Sequence, residues 1–181
     1  MKTYKLTGIV LKKQDLFEKD KTIDLFTPDK GKIQLLAKYA NTKSFKFSGT
    51  LEATNYIEVV LYIGKSFHII THAHTVKSFT TLRTSFNHIA IAVFLMDLAQ
   101  KATMHNQENP DLFEILLASL NRLNELESVE SVKSYFFKRF LEVEGLLHES
   151  NTLITDKSFQ NIFETYTNQS IKFPKLLTPH I

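Results

Sequence analysis

The chain has 181 residues and a mass of 20.9 kDa, enough for one compact domain or two small ones. Hydrophobic residues make up 43% of it and charged residues 23%, which excludes a disordered chain, a collagen-like chain and a coiled-coil rod. Because cysteine is absent, disulfides, zinc ribbons, iron–sulfur clusters and thiol nucleophiles are excluded. The longest apolar run, Ile89 to Met96, is far shorter than the ~20 residues of a membrane span.

The net charge of +3 is unevenly distributed along the sequence. Residues 1–80 contain thirteen lysines and seven acidic residues, a net charge of +6, whereas residues 81–181 contain nine basic and twelve acidic residues, a net charge of −3. This asymmetry predicts two units with different roles, of which the basic first unit is suited to a polyanion. The N-terminus lacks the apolar stretch of a secretory signal, which predicts a cytoplasmic protein.

The first part of the chain has the pattern of β structure. Short β-rich runs cover residues 4–13, 20–27, 31–37, 50–62 and 66–73, and in the fourth run Ile57, Val59 and Leu61 fall on one face. Pro28 and Gly31 suit a tight turn between the second and third runs. Five strands joined by short connections predict a small barrel or sandwich.

The second part of the chain has helical periodicity. Apolar residues recur at three- and four-residue spacing over residues 85–105, 132–148 and 158–166. Asn109 and Pro110 are suited to the N-cap and first position of another helix, which carries the stripe Leu112, Leu116, Leu120 and Leu123. We interpret these stripes as the core of a helical domain that begins near residue 80.

Catalytic motifs are mostly absent from the sequence. The five glycines are too scattered for a phosphate-binding loop, and neither His-Glu-x-x-His nor Gly-x-Ser-x-Gly occurs. His68, His72 and His74 all have even numbers, so on a continuous strand they would share a face. A metal-dependent enzyme built on that face is one hypothesis; histidines that simply face solvent are the alternative.

The stretch from Lys30 to Leu51 has the composition of a nucleic-acid site. It contains no acidic residue, and its cations alternate with aromatic residues; they are Lys30, Lys32, Lys38, Lys43 and Lys46, with Tyr39, Phe45 and Phe47 between them. Single-stranded nucleic acid is held by cations that contact phosphates and by rings on which bases stack. The alternative is that Phe45 and Phe47 fill the barrel while the lysines only solvate it.

In the order of these features the chain resembles the RecO family of bacterial recombination mediators, from about residue 5 to residue 147. The matching pieces in the first part are Gly8-Ile9-Val10-Leu11, Glu18-x-Asp20, Leu25-Phe26-Thr27, Gly31-Lys32, Ala37-Lys38 and Lys43-Ser44. Those in the second part are Asn109-Pro110-x-Leu112-Phe113-x-x-Leu116-Leu117-x-x-Leu120 and Phe137-x-x-Phe140-Leu141-x-x-x-Gly145.

The resemblance implies an α+β protein with a five-stranded barrel of the oligonucleotide-binding (OB) type over residues 1–79 and an all-helical domain over residues 80–181. It also implies a protein without catalytic turnover that acts in DNA repair and recombination in the bacterial cytoplasm, on the nucleoid. No cofactor, metal or membrane is expected, since the sequence lacks cysteine and an apolar run long enough for a membrane span. Such proteins bind single- and double-stranded DNA, anneal complementary strands, contact the acidic tail of the single-strand DNA-binding protein and, with RecR, assist the loading of RecA.

The DNA-contacting residues follow from two sources. The resemblance places Lys38 and Lys43 in the family's basic loop, where they are expected to contact phosphates. The residue pattern adds Lys32 and Lys46 as cations, and Tyr39 and Phe45 as rings for base stacking. An acidic partner peptide would require Arg122, Lys133, Lys138 and Arg139 to lie close together in the acidic second part.

Several positions depart from the family pattern. Tyr39 and Asn41 stand where the family's loop has glycine and arginine, and the four zinc-binding cysteines of many members are absent. Beyond about residue 150 the match is poor, and the last helices of the family are expected to be missing or remodelled. These departures keep a second hypothesis open, that the chain is a non-enzymatic adaptor whose basic barrel contacts an acidic partner protein.

Overall fold

Five strands form a closed barrel in the first part of the chain. The computed structural model describes residues 3–65, 67–147 and 154–177. The strands are β1 (Thr3–Asp15), β2 (Lys21–Thr27), β3 (Gly31–Ala37), β4 (Tyr56–Ile63) and β5 (His68–Lys77). Their order around the barrel is β1-β2-β3-β5-β4, and β4 pairs with β1 to close it. All pairs are antiparallel except β3 with β5, where Leu35 and Leu36 lie beside His68 and Ile69.

The alternation of apolar residues places one side of each strand in the barrel core. Ile57, Val59 and Leu61 of β4 are fully buried, as their spacing predicted. Strands β2 and β3 are buried along almost their whole length. The core cluster comprises Leu6, Val10, Ile23, Leu25, Ile33, Leu35, Ala37, Leu51, Ile57, Val59, Leu61 and Ile70.

The fourth and fifth strands differ in their bounds from the predicted ones. The predicted strand over residues 50–62 begins only at Tyr56, because the chain turns through residues 50–54. The buried Asn55 stabilises this turn: its Nδ2 donates hydrogen bonds to the carbonyl oxygens of Gly49 (2.9 Å) and Thr50 (3.1 Å). Strand β5 continues to Lys77, four residues past its predicted end, and Ser66, the predicted first residue, lies outside the described residues.

Four α-helices follow the barrel in the residues that the structure describes. They are α1 (Phe86–Ala102), α2 (Pro110–Asn124), α3 (Val129–Val143) and α4 (Asp156–Thr167), after a short 3₁₀ helix at Thr81–Thr84 that the sequence did not predict. Helix α2 begins at Pro110 as predicted, and its stripe of Leu112, Leu116, Leu120 and Leu123 is buried. The predicted end of the third helix, His148, lies outside the described residues. No helix in the described part of the chain has the length and hydropathy needed to cross a membrane.

The α+β class, with an OB-type barrel followed by helices, is therefore confirmed. The chain divides into two compact units, one of Met1–Ser78 with Thr103–Pro110 and one of Phe79–Ala102 with Asp111–Ile181. The sequence predicted one domain over residues 1–79 and another over 80–181, and it did not predict that Thr103–Pro110 would return to the first unit. The predicted boundary stays a prediction.

The segment Thr103–Pro110 joins the barrel through backbone contacts. The amide of Asn106 donates a hydrogen bond to the carbonyl oxygen of Lys32 (2.9 Å), and His105 forms an isolated parallel bridge with Lys32. Gly31 makes this approach possible, since a Cβ at that position would lie 1.7 Å from the carbonyl oxygen of Gln107. Its φ of +60° also lies in the left-handed region that glycine adopts without strain.

Candidate nucleic-acid interface

The connection between β3 and β4, residues 38–55, carries most of the predicted site residues; we call it the basic loop. Consecutive turns shape it, with backbone hydrogen bonds from Thr42 to Tyr39 (3.0 Å), from Phe45 to Thr42 (3.1 Å) and from Leu51 to Phe47 (2.9 Å). Leu51 is buried in the barrel core. The loop is therefore held to the barrel at its far end as well as at its start.

Phe45 and Phe47 anchor the middle of the basic loop. Both rings are half-buried against the barrel core, with their centroids 5.7 Å apart in an edge-to-face arrangement. The residues between and beside them, Ser44, Lys46 and Ser48, are exposed. Base stacking by Phe45 stays a prediction. In the structure the Phe45 ring packs against the barrel core and holds the basic loop to it.

Three lysines of the basic loop are exposed and unpaired. Within the described ranges, Lys38, Lys43 and Lys46 form no ion pair or side-chain hydrogen bond. Three lysines of the barrel strands differ, since Lys5 pairs with Glu58, Lys13 with Glu52 and Lys21 with Asp15. The positive charge of each of these three lysines is thereby partly neutralised. The lysines of the basic loop thus present positive charge without an ion-pair partner among the described residues.

Lys32 occupies a different environment from the other predicted cations. It lies in β3 with only 8% of its surface exposed, and burial is the main cause that lowers its pKa, an effect that the negative charge of Asp24 opposes. Asp24 is buried as well, and its Oδ1 accepts a hydrogen bond from Gln34 Nε2 (3.1 Å). Lys32 is consequently a cation of the barrel wall and is not part of the exposed loop surface.

Tyr39 is presented to solvent by an unusual backbone conformation. Its φ is +57°, in the left-handed region, and 61% of its surface is exposed. The Tyr39 amide donates a hydrogen bond to Oδ1 of Asp20 (2.9 Å), and the Asn41 amide donates one to the carbonyl oxygen of Lys19 (3.0 Å). These two bonds fix the start of the basic loop against the β1–β2 turn, residues 16–20.

The β1–β2 turn adds residues that the sequence analysis missed. Phe17 is 71% exposed and Lys19 is exposed. Together with residues of the basic loop they line a cleft of about 420 Å³, whose lining is Phe17, Glu18, Lys19, Asp20, Lys38 and Tyr39. The position of Phe17 between two predicted strands was a local signal for a ring in a connecting turn. Only the folded barrel brings this ring next to the basic loop, about twenty residues further along the chain.

The three histidines do not form a metal site, and the expectation that they share one strand face is wrong. Pairing along β5 moves from Ile70 opposite Leu61 to His72 opposite Val60, so Thr71 is an extra residue at a β-bulge. His68 therefore lies on the face of Ile70, edge-on to Tyr4, whereas His72 and His74 are exposed. The described residues contain no group of three potential ligands that could hold a metal ion.

The four cations predicted for an acidic partner lie on α2 and α3, each beside a carboxylate. Arg122 pairs with Glu127 (2.8 Å), and its guanidinium lies 4.6 Å from the Tyr135 ring centroid. Buried Lys133 pairs with Glu130 (2.7 Å) and Asp156 (2.9 Å). Lys138 and Arg139 share one carboxylate, that of Glu142. Each cation is thus engaged inside the helical unit.

A closed five-stranded barrel of this strand order, followed by a helical unit, defines an OB-fold protein with a C-terminal helical domain. Two family models match the chain: Recombination protein O N terminal over residues 1–79 and Recombination protein O C terminal over residues 83–146. The chain belongs to the Recombination protein O (RecO) family, which confirms the resemblance seen in the sequence.

Curated relatives of the chain are named DNA repair protein RecO. The protein from Dehalococcoides mccartyi (strain ATCC BAA-2266) is 34% identical over 142 residues, which cover 78% of this chain and 56% of the relative. The Acetivibrio thermocellus protein is 33% identical over 68% of this chain and 49% of its own length, and the Bacillus velezensis protein is 28% identical over 88% and 62%. The chain therefore spans about half the length of the curated relatives it matches.

Proposed function

We propose that the chain binds DNA through the basic loop and anneals complementary strands in recombinational DNA repair. The observation that carries the proposal is the set of exposed, unpaired lysines Lys38, Lys43 and Lys46 in the part of the basic loop, residues 38–51, that contains no acidic residue. Such cations displace the counterions of phosphates, which supplies most of the affinity in sequence-independent DNA binding. Membership of the RecO family supports the same conclusion.

Annealing follows from phosphate neutralisation without further chemistry. Two complementary strands repel each other through their phosphates, and a surface that neutralises part of that charge brings them to pairing distance at a lower electrostatic cost. Base pairing then provides the free energy, so neither a nucleotide cofactor nor a metal is needed. We therefore propose a non-enzymatic activity, acting on both single- and double-stranded DNA.

Partners and location belong to the proposal as well. Family membership supports an assembly with RecR that assists RecA loading, in the bacterial cytoplasm and on the nucleoid. The single-strand DNA-binding protein would have to bind through its acidic tail. The cations predicted to hold that tail already form ion pairs with carboxylates of this chain, which would compete with the tail; they are Arg122, Lys133, Lys138 and Arg139. The proposal therefore rests on DNA binding. Contact with the single-strand DNA-binding protein is proposed on the basis of family membership alone.

A strand-annealing experiment tests the proposal. Two complementary oligonucleotides, one with a donor and one with an acceptor fluorophore, are mixed with and without the protein, and the rise of energy transfer is followed. We expect acceleration by the unmodified protein and loss of most of it in the Lys38→Glu/Lys43→Glu variant. The matched control is Lys157→Glu/Lys172→Glu, which reverses two exposed lysines of the helical unit and should anneal normally.

Two results would overturn the proposal. The first is an annealing rate equal to that of the strands alone, and the second is an equal loss in the loop variant and in the control variant. The first result would favour the adaptor hypothesis, in which the basic barrel contacts an acidic protein, and the second would show that annealing does not depend on the basic loop in particular.

A further inference from the structure

We infer that the cleft between the β1–β2 turn and the basic loop binds an unpaired base of single-stranded nucleic acid, with Phe17 and Tyr39 as its stacking surfaces. The cleft has a volume of about 420 Å³, within the ~300–1,000 Å³ range of sites for small organic ligands. This inference rests on the proposed DNA binding and adds to it a chemical preference, for unpaired over paired bases.

The exposure of the two rings is the first step of the argument. Phe17 and Tyr39 are among the most exposed large apolar side chains of the barrel unit, at 71% and 61%. Exposing a large ring to water has a cost, and burying it under the face of a base recovers part of that cost. The half-buried Phe45 and Phe47 already pack against the core, which leaves Phe17 and Tyr39 as the rings available to a ligand.

The second step is that the cleft walls are held together. The hydrogen bonds from Tyr39 to Asp20 and from Asn41 to Lys19 join the basic loop to the β1–β2 turn. Asn41 Nδ2 adds a third, to the carbonyl oxygen of Glu18 (3.3 Å). A preorganised cleft loses little conformational entropy when a ligand enters, so the stacking free energy is retained as affinity.

The charges of the cleft determine which part of a nucleotide it accepts. Its charged lining residues are Glu18, Asp20, Lys19 and Lys38, two negative and two positive, so the lining has no net charge. A phosphate group gains little there, whereas a base offers a neutral ring and N–H groups, such as the N3–H of thymine, that can donate hydrogen bonds to a carboxylate. The phosphates of the same strand are left to the exposed, unpaired lysines of the basic loop, of which Lys38 borders the cleft while Lys43 and Lys46 lie further along the loop.

Duplex DNA cannot use such a cleft. Its bases are stacked inside the helix, and its outer surface consists of phosphates, which the two carboxylates of the cleft repel. The lysines still attract a duplex. The rings therefore contribute to single-strand binding alone, while the lysines contribute to both.

This difference gives the test. Fluorescence anisotropy of labelled oligo(dT) of about 20 nucleotides, longer than the ~4–16 nucleotides that one OB fold covers, is compared with that of its duplex with oligo(dA). We expect Phe17→Ala and Tyr39→Ala each to weaken oligo(dT) binding on the order of tenfold and to leave duplex binding within about twofold. Phe17→Tyr and Tyr39→Phe keep a ring at each position and should restore single-strand binding.

The controls separate this inference from the proposed function. Phe86→Ala removes a ring that is 56% exposed in the helical unit and should change neither affinity, and unchanged melting temperatures show that each variant is folded. The inference is overturned if the alanine variants bind oligo(dT) normally, or if they lose single-strand and duplex affinity equally. Failure of the unmodified protein to bind either probe at low salt would instead overturn the proposed function, and the inference with it.

Discussion

Tyr39 adopts a φ of +57° in the basic loop, where the family pattern has glycine. A left-handed conformation costs a residue with a side chain ~1–2 kcal/mol, and glycine avoids this cost. The strain persists at an exposed position whose ring makes few packing contacts. A side chain retained under such conditions is consistent with a role in binding, which is the role that the cleft assigns to Tyr39.

Replacement of this residue by glycine should separate stability from binding. For Tyr39→Gly we expect the free energy of unfolding to rise by about 0.5–1 kcal/mol, because relief of the strain exceeds the entropy that glycine adds to the unfolded chain. Binding of single-stranded DNA should weaken at the same time. Urea denaturation and anisotropy measure the two effects, and a loss of stability would show that the Tyr39 ring has a structural role.

Lys32 shows how burial changes the meaning of a lysine. In the sequence Lys32 belongs to the same acid-free stretch as Lys38, Lys43 and Lys46. In the structure it lies within β3, where the residues before and after it, Gly31 and Ile33, are both buried. Its charge is partly balanced by Asp24, across the β2–β3 pair. Phosphate contact by Lys32 stays a prediction, and the DNA surface that we propose lies on the exposed loop.

At the scale of elements, the return of Thr103–Pro110 to the barrel depends on Gly31. We expect Gly31→Ala to lower the free energy of unfolding by about 3 kcal/mol, because its Cβ would overlap the Gln107 carbonyl and because +60° is an unfavourable φ for alanine. Thermal or urea denaturation measures the loss. Gly49→Ala is the matched control, since nothing lies within 4 Å of its Cβ position; an equal effect of both substitutions would contradict the account.

Most elements could be predicted from the sequence because each depends on local periodicity. Ile57, Val59 and Leu61 alternate on β4, and Pro110 marks the first residue of α2; both predictions are confirmed. The predicted strand over 50–62 failed at its start, since residues 50–54 have strand-like composition but the side chain of Asn55 stabilises a turn. A side-chain hydrogen bond of this kind leaves no periodic signal.

The candidate site was harder to predict because its features depend on contacts between distant residues. The bulge at Thr71 moves His72 and His74 to another face than His68, and a count of even positions cannot detect an inserted residue. Phe17 and Tyr39 come together only when β1, β2 and β3 pair. The sequence could identify the acid-free stretch, but the ion pairs of lysines such as Lys5 and Lys13 appear only in the folded barrel.

At the scale of the whole molecule, the charge asymmetry of the sequence corresponds to two different uses of charge. In the helical unit the cations Arg122, Lys133, Lys138 and Arg139 bind carboxylates of the same unit. In the barrel unit the cations of the basic loop have no such partners within the described residues. This contrast, more than the net charge of +3, supports DNA binding by the first unit.

The most direct test of this account is the salt dependence of single-strand binding. Anisotropy of labelled oligo(dT) is titrated with the full chain at several salt concentrations, and the logarithm of the association constant is plotted against the logarithm of salt concentration. Three phosphate contacts, one each by Lys38, Lys43 and Lys46, predict a slope of about −2, at ~−0.7 for each contact with a single strand. The Lys38→Glu/Lys43→Glu variant should bind more weakly, with a slope nearer −1.

The control for this titration is Lys157→Glu/Lys172→Glu, which changes the net charge of the chain by the same amount and should keep the slope of the unmodified protein. A shallower slope in the loop variant alone is the result that the account predicts. Salt-independent binding, or an identical slope in the unmodified protein and the loop variant, would contradict the claim that the basic loop contacts DNA.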